Sequence, residues 1–515
     1  MNLFKTYKND LPASLVVFLV ALPLCLGIAL ASGAPLFSGL ITGIIGGIVV
    51  GFLSDSKLSV SGPAAGLTVI VFSAIATLGS FEAFLLAVVI SGIIQLVLGY
   101  VKAGVIGHFS PVSVVNGMLT AIGLNIFLKQ IPHAFGYDLN DIDLASFQDS
   151  YGHNTLSELY YMLSFIKLGP VIISIVSLII LYSWDSKFIK QNNILKLIPA
   201  PLVVVFVGIG LNTLFNNIAP EIAAVGNELV SLPNINSFQA LVGELRFPNF
   251  SSLGNPEVYM VAATIAIVGS LESLLSLDAA DKLDPAKRIS SPNQELKAQG
   301  WGNILAGLIG GLPMTAVVVR TSANINAGGK GKLSSIAHGV LIVISVLFLA
   351  SFLNLIPLAA LAAILIQVGL KLNKISIYKK TIKSGSDQYI PFFITLLVIM
   401  FTDLLKGISV GVLVGLVFTL KTNFRSGVSM VKSGKNHLIT INRNLYFFNK
   451  AQLRRILQHI PRESEVLIDG TKVEFMDYDI QQSINDFVEN AANRAIHVEL
   501  KMSSTAPMEM FRKTN

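Results

Sequence analysis

The sequence predicts an α-helical polytopic membrane protein, with about fourteen spans in a 7+7 inverted repeat, followed by a small cytoplasmic α/β domain. Three observations predict it. Only 13% of the 515 residues are charged and 53% are hydrophobic, against ~25% charged in a typical soluble domain. The shortage is uneven. Lys432–Asn515 holds 12 basic and 10 acidic residues, roughly 26% of that stretch, whereas the first 431 residues carry roughly 10%. The third observation is a succession of apolar runs near the ~20 residues that a helix needs to cross a bilayer. Together these exclude a water-soluble globular enzyme, a disordered chain, collagen and a coiled coil. The single cysteine, Cys25, excludes intrachain disulfides.

The apolar runs of the first half fall at 11–32, 36–53, 60–78, 82–101, 111–131, 161–184 and 197–216. Those of the second half fall at 257–278, 298–311, 313–325, 335–354, 356–370, 389–404 and 406–421. The first run follows Lys5 and Lys8 and ends Ala29-Leu30-Ala31, as a secretory signal would. It is too long for one, contains Pro23 and is followed at once by another apolar run, so it reads as a retained first span.

The loops orient the spans. His133–Glu158 contains Asp138, Asp141, Asp143, Asp149 and Glu158 and no Lys or Arg, and Pro220–Glu257 is also acidic. Lys187, Lys190 and Lys196 lie between spans six and seven. Lys282, Lys287, Arg288 and Lys297 lie between eight and nine, and Lys371, Lys374, Lys379, Lys380 and Lys383 between twelve and thirteen. Lys and Arg mark the cytoplasmic side. An even span count with the N-terminus inside puts every basic loop and the C-terminal tail in the cytoplasm. The net charge of +7 is then loop charge in contact with the lipid bilayer, and nucleic acid is not an expected partner. Seven is odd, so the second set of spans is inserted upside down relative to the first, the plan of many secondary transporters. Gly43-Ile-Ile-Gly-Gly47 echoes Gly307-Leu-Ile-Gly-Gly311, each just before an interrupted segment.

The tail reads as strands at Asn436–Ile441 and Asn444–Phe448, split by Asn442-Arg443. A helix follows at Lys450–His459, a strand at Glu465–Asp469, a helix at Asp479–Ala491 and a strand at Ala495–Lys501. The expected domains are 1–425 for the membrane body (1–216 and 257–425 for the two repeats), 432–503 for the α/β domain and 504–515 for a terminal tail.

Two places combine breaks with polarity. They are Leu58-Ser-Val-Ser-Gly-Pro-Ala-Ala-Gly-Leu-Thr68 and Gly310-Gly-Leu-Pro-Met-Thr-Ala-Val-Val-Val-Arg-Thr321. Each has an extended lead and then a helix starting near mid-membrane. The free N–H groups of such a half-helix, with ~+0.5 charge of macrodipole, attract an anion. Ordinary kinks in packed helices are the alternative. Arg320 is the only Arg inside an apolar run, at a cost of ~2.5–3.5 kcal/mol on translocon scales. It faces the anion pocket, or it snorkels or pairs structurally. Glu272 and Ser276 are one turn apart on one helix face. A buried carboxylate beside a hydroxyl binds Na⁺ or carries H⁺, or makes a packing hydrogen bond. Asp278 and Asp281 read as a capping or solvated pair, and Asp403 as loop structure. Asn326–Leu333 imitates a phosphate-binding loop but lacks its first Gly and its terminal Ser/Thr. The seven His show no metal spacing and no nucleophile elbow occurs, so nothing points to a cofactor, ATP hydrolysis or covalent catalysis.

The stretches Ala21-Leu-Pro-Leu-Cys-Leu-Gly-Ile-Ala-Leu-Ala-Ser-Gly-Ala-Pro35, Ser59–Thr68, Ser270–Asp281 and Gly310–Gly329 resemble the sulfate permease (SulP) family of anion transporters. The tail resembles that family's C-terminal STAS domain. The resemblance implies a core domain moving against a gate domain, with a small inorganic anion held between half-helices. It assigns Ser61, Ala64, Ala65 and Gly66 to the first half-helix and the backbone of Ala316, Val317 and Val318 to the second. Arg320 matches a basic position near the site. The first-span and eighth-span stretches look most like the bicarbonate-type members, where an Asp and a Thr help hold Na⁺. Here Glu272 and Ser276 stand in those places, which leaves Na⁺, H⁺ or no coupling ion open. The expected activity is secondary active transport of bicarbonate or sulfate by alternating access. An anion channel or exchanger, and less so a nucleobase permease, are the alternatives. The expected setting is a bacterial inner membrane, as a homodimer. Phe475-Met-Asp-Tyr-Asp479 lacks the phosphorylatable Ser of stand-alone STAS proteins, so the tail is expected to fold, dimerise or dock rather than switch.

Overall fold

The computed structural model describes residues 6–105, 111–136, 166–184, 186, 189, 198–233, 243–402, 404–425, 427–442 and 444–502. Most of the acidic stretch 133–158, the basic trio Lys187, Lys190 and Lys196, Asp403, Arg443 and the tail 504–515 lie outside the described residues. The chain divides into two compact units, 1–411 and 412–515.

A helix lies over each of the fourteen expected spans. In the first set these are α1 (Tyr7–Ala31), α2 (Leu36–Ile45, prolonged by a π turn to Leu53), α3 (Thr68–Leu78), α4 (Phe81–Tyr100), α5 (Val112–Ala134), α6 (Leu168–Trp184) and α7 (Ala200–Ile218). In the second they are α8 (Pro256–Leu283), α9 (Pro292–Ile309), α10 (Val318–Asn326), α11 (Leu333–Phe348), α12 (Leu358–Leu372), α13 (Ser386–Phe401) and α14 (Leu404–Arg425). Seven helices among the described residues are long and apolar enough to cross a membrane, and five shorter apolar ones accompany them. The chain is thus a multi-pass membrane protein. Its interrupted third and tenth spans begin as short strands, β1 (Ser61–Pro63) and β2 (Met314–Ala316).

Caps set the borders. Ser80 accepts from the Ala83 N–H at 3.1 Å to start α4, and Asn255 accepts from Glu257 N–H to start α8, with Pro256 at its first position. The ninth span starts earlier than expected, at Pro292 rather than 298. Ser291 caps it, and its first turns are polar, which hid them from a hydropathy reading. It ends where Gly310 takes a left-handed conformation (φ 92°), which costs glycine nothing.

The helices pack as two groups. In one, α4 lies along α9 and α8, and α1 along α11 and α2. In the other, α5 lies along α12 and α13, and α6 against α12 and α7. Each group has a crossing where two glycines let backbones touch. A Cβ on Gly92 or Gly300 would meet the other's carbonyl oxygen at 2.6–2.7 Å, and the same holds for Gly123 and Gly369. Without a hydrophobic drive between helices in lipid, such close approach is what binds them.

The second unit holds a four-stranded sheet, order β3-β4-β5-β6, from β3 (Val428–Ser433), β4 (Asn436–Ile441), β5 (Glu465–Gly470) and β6 (His497–Met502). β3 and β4 pair antiparallel around Gly434 (φ 60°), and the other pairs are parallel. The parallel crossovers are α15 (Lys450–Gln458) and α16 (Tyr478–Ala491). Their apolar faces cover Ile439, Ile441, Val466 and Ile468, the alternate residues of two strands. Two expectations fail here. Asn444–Phe448 is no strand: Leu445 makes one bridge to Met476, and the chain then coils into a short 3₁₀ turn, Phe447–Asn449. In its place β3 was missed. Only Val428 of that edge strand is buried, so it carries no alternation to read. The unit's first strand therefore starts at 428, ahead of the expected boundary at 432.

Replacing Gly300 by Val should force α4 and α9 apart and cost ~1–3 kcal/mol by overpacking, read as a lowered thermal midpoint in detergent. Gly210 on α7 has nothing within 4 Å, and Gly210→Val should leave the midpoint unchanged.

Candidate functional site

The two interrupted spans meet as a backbone crossing. β1 and β2 pair antiparallel, with Ser61 opposite Ala316, Gly62 opposite Thr315 and Pro63 opposite Met314. The Val317 N–H extends the pairing to the Val60 carbonyl at 2.9 Å. Extended backbone at membrane depth survives only if protein satisfies its polar groups. Side chains do so here. Thr321 Oγ1 accepts from Val60 N–H, Asn324 donates to the Leu58 carbonyl, Thr42 Oγ1 accepts from Leu312 N–H, and Asn303 Oδ1 accepts from Met314 N–H at 2.8 Å. All four are buried.

From this crossing the half-helices run apart. Ala64 and Gly66 are buried at the start of the first, where a 3₁₀ turn, Ala65–Leu67, leads into α3. Ala65's carbonyl accepts from Thr68 Oγ1. At the second, Val318 and Val319 are exposed, at 39% and 53%. The first N–H groups of a helix have no intrahelical acceptor, so α10 turns a donor-rich start toward an accessible face. The expected donor set is narrower than predicted, however. The Val317 N–H is taken by Val60, and the Ala316 N–H reaches Ser273 Oγ at 3.4 Å. The Ser61 hydroxyl is turned to Gln299, accepting from its Nε2 at 2.7 Å.

α8 touches both half-helix starts. Ser273 meets Ala316, and Glu272 lies directly against Gly66, where a Cβ would collide with its Oε1. Glu272 Oε2 is buried without a hydrogen-bond partner. Ser276 is buried one turn along the same face. The carboxylate thus stands at the positive end of α3 with one oxygen unpartnered.

Arg320 is fully enclosed, the largest such side chain among the described residues. Its Nη2 donates to Cys25 Sγ at 3.4 Å, its Nη1 lies against the α-carbon of Gly62, and its Nε and Nη1 have no partner. Among the described residues it has no carboxylate partner, so it is neither snorkelling nor structurally ion-paired. It reaches the crossing from behind β1 rather than projecting into open space.

Sequence reasoning missed the polar stripe of α9. Glu295, Gln299 and Asn303 recur every four residues and are all buried. Ser54 donates to Glu295 Oε2, and Gln299 Nε2 donates to Glu295 Oε1 and to Ser61. Asn303 donates to Gln95 and holds Met314. The i, i+4, i+8 spacing was readable, but the charges around it hid the helix.

The other singled-out residues are structural. Asp281 accepts from the Ser290 N–H and hydroxyl, and Asp278 pairs with Lys282 on the surface. Arg288 holds the Asp284 carboxyl below its ordinary range at the end of α8. The phosphate-loop mimic anchors α1: buried Asp10 Oδ1 accepts from the N–H groups of Lys330 and Gly331.

A model of the sulfate permease family matches residues 7–398. The chain is 27% identical over 429 residues to the bicarbonate transporter BicA of Picosynechococcus sp. (strain ATCC 27264 / PCC 7002 / PR-6), covering 81% of this chain and 71% of that protein. It is 25% identical over 525 residues to the sodium-independent sulfate anion transporter of Bos taurus, covering 96% and 83%. Among solved structures, SLC26A9 is similar with a TM-score of 0.78 at 17% identity, over 97% of this chain and 85% of that one. The transmembrane domain of a cyanobacterium bicarbonate transporter BicA is similar with a TM-score of 0.61 at 22% identity, over 80% and 98%. These two likenesses are likenesses of fold.

Asn303→Leu should strand the Met314 N–H in the membrane interior and cost ~1–3 kcal/mol, measured as a drop in the unfolding midpoint. An unchanged midpoint would mean that the side chain does not hold the crossing.

Proposed function

The chain belongs to the sulfate permease family, and on that premise we propose that it is a secondary active transporter of a small inorganic oxyanion, bicarbonate or sulfate, working by alternating access. One observation carries this reading: two half-helices start at one antiparallel backbone crossing, with the guanidinium of Arg320, whose Nε and Nη1 lack partners, behind it. The anion binds at the starts of α3 and α10, near Ser61, Ala64, Ala65 and Gly66 on one side and Val317 and Val318 on the other. Backbone N–H groups and macrodipoles supply the attraction, and Arg320 adds a fixed positive field that low dielectric leaves unscreened. The group holding α1–α4 and α8–α11 carries the site, and the group holding α5–α7 and α12–α14 is the gate against which it moves.

Glu272 gives this site its coupling. A carboxylate against Gly66 competes with the anion for the same positive helix end. A cation on Glu272 removes that repulsion, so anion and cation bind together and move together. We assign the cation as H⁺: the carboxylate is packed against backbone, with one hydroxyl nearby. Na⁺ at Glu272 and Ser276 is the other outcome of the test.

On this reading both termini lie on the cytoplasmic side, by the positive-inside rule, and the setting is a bacterial inner membrane. The 428–502 unit fits a STAS-like domain, with a docking or dimerising role between two copies of the chain.

Reconstituted vesicles test the reading with labelled bicarbonate and sulfate. Saturable uptake of one of them, driven by an imposed pH gradient, is the expected result. Arg320→Ala should lower uptake at least tenfold, and Glu272→Gln should abolish its dependence on pH and on Na⁺. Uptake unchanged in both variants would sink the site assignment, and linear current without saturation would indicate a channel.

A further inference from the structure

The linker between α12 and α13 contains a helix of its own, Ile375–Lys383. Breaks set it off from both spans. Lys374 is extended (ψ 132°) at its start, and Gly385 (φ 104°) turns the chain into α13. Tyr378 fastens the linker helix to α13: its ring centre is 5.5 Å from that of Phe392 and 6.2 Å from that of Phe393. Its hydroxyl donates to Asn373 Oδ1 at 2.6 Å, and Thr381, one turn on, is buried. The helix is therefore held in one orientation, with a defined outer face.

Ile375, Lys379, Ile382 and Lys383 fall at i, i+4, i+7 and i+8, together on that outer face. Ile375 is 71% exposed and Ile382 53%. Lys374, Lys379, Lys380 and Lys383 are exposed too, and among the described residues none of these four has a carboxylate partner. Lys371–Gly385 contains no Asp or Glu. A basic loop by itself needs no ligand, because Lys and Arg stay on the cytoplasmic side whatever they touch. That account leaves the two isoleucines unexplained. On a linker that joins two spans, exposed isoleucines mark the side that meets the acyl boundary, where their burial from water is favourable. Lysines on the same side lay their stems along apolar surface and carry their ammonium groups out to the level of lipid phosphates.

We propose that the linker helix is a docking surface for anionic phospholipid headgroups. Ile375 and Ile382 enter the acyl boundary, and Lys374, Lys379, Lys380 and Lys383 pair with the phosphates above it. Both α12 and α13 belong to the group read above as the gate, so the contact anchors the gate to the bilayer while the other group moves. That consequence rests on the transport reading, and the lipid contact does not.

The test uses the full chain in neutral maltoside micelles, with phosphatidylglycerol or phosphatidylcholine added and the unfolding midpoint measured. Phosphatidylglycerol should raise the midpoint and phosphatidylcholine should not, since a ligand that binds only the folded chain stabilises it. Replacing Lys374, Lys379, Lys380 and Lys383 together by Gln should demand at least tenfold more phosphatidylglycerol for the same rise, one lysine at an anionic surface being worth about fivefold. Replacing the same four by Arg should keep the wild-type response. Ile375→Asn with Ile382→Asn should weaken it. The wild-type response should also fade at high salt, which tests the contact even where the fourfold Gln variant fails to fold. An equal response in wild type and Gln variant, an equal effect of phosphatidylcholine, or a response indifferent to salt overturns the proposal. So does a rise produced by free glycerol phosphate alone, which would show a soluble phosphate site in place of a membrane surface. The midpoint reads the contact whether or not the chain transports, so its failure leaves the transport reading standing.

Discussion

The organising constraint of this membrane body is that two stretches of extended backbone cross inside it. A bilayer interior offers no water to pair an N–H or a carbonyl. The β1–β2 pair satisfies part of its own demand. The remainder falls on side chains from three other helices: Thr42, Ser273, Gln299 and Asn303 each bond a residue of the crossing or its flank. These bonds fix where α2, α8 and α9 stand. The helices that hold the crossing are therefore the helices that form the site, and a uniform apolar core could not build it.

The same constraint distributes charge. Helix starts are positive, and here two of them are brought to one place. Glu272 at Gly66 and Arg320 at Gly62 lie on either side of a five-residue segment. Neither has its polar atoms fully paired. A protein selected for stability alone would pair such groups or remove them, since an unpaired buried charge is expensive. The cost is explicable if a mobile anion and a mobile cation complete the arrangement during each cycle.

Much of the architecture was legible in sequence, for a definable reason. Hydropathy reports transfer free energy residue by residue, so the long runs, the basic loops and the soluble tail stood out. Glu272 and Arg320 stood out because charge is rare in such runs. Legibility failed where polarity and depth coincide. The first turns of α9, with Asn293, Gln294, Glu295 and Lys297, look like a loop, yet Glu295 is buried. In the tail, β3 escaped because an exposed edge strand has no alternation, and Asn444–Phe448 misled because one buried Leu445 imitates one.

The sequence by itself determined the membrane body, its fourteen segments, the two breaks in corresponding positions and the two deep charges. These are local properties of composition and of glycine and proline chemistry. Only the tertiary structure decided what the breaks touch. It turned the Ser61 hydroxyl to Gln299, spent the Val317 N–H on Val60, set Glu272 against Gly66 and enclosed Arg320 behind the crossing rather than in an open pocket. Each of these joins residues from separate spans, most of them more than two hundred positions apart. Hydrogen-bond satisfaction at that range depends on which helices become neighbours, and no window along the chain contains that information.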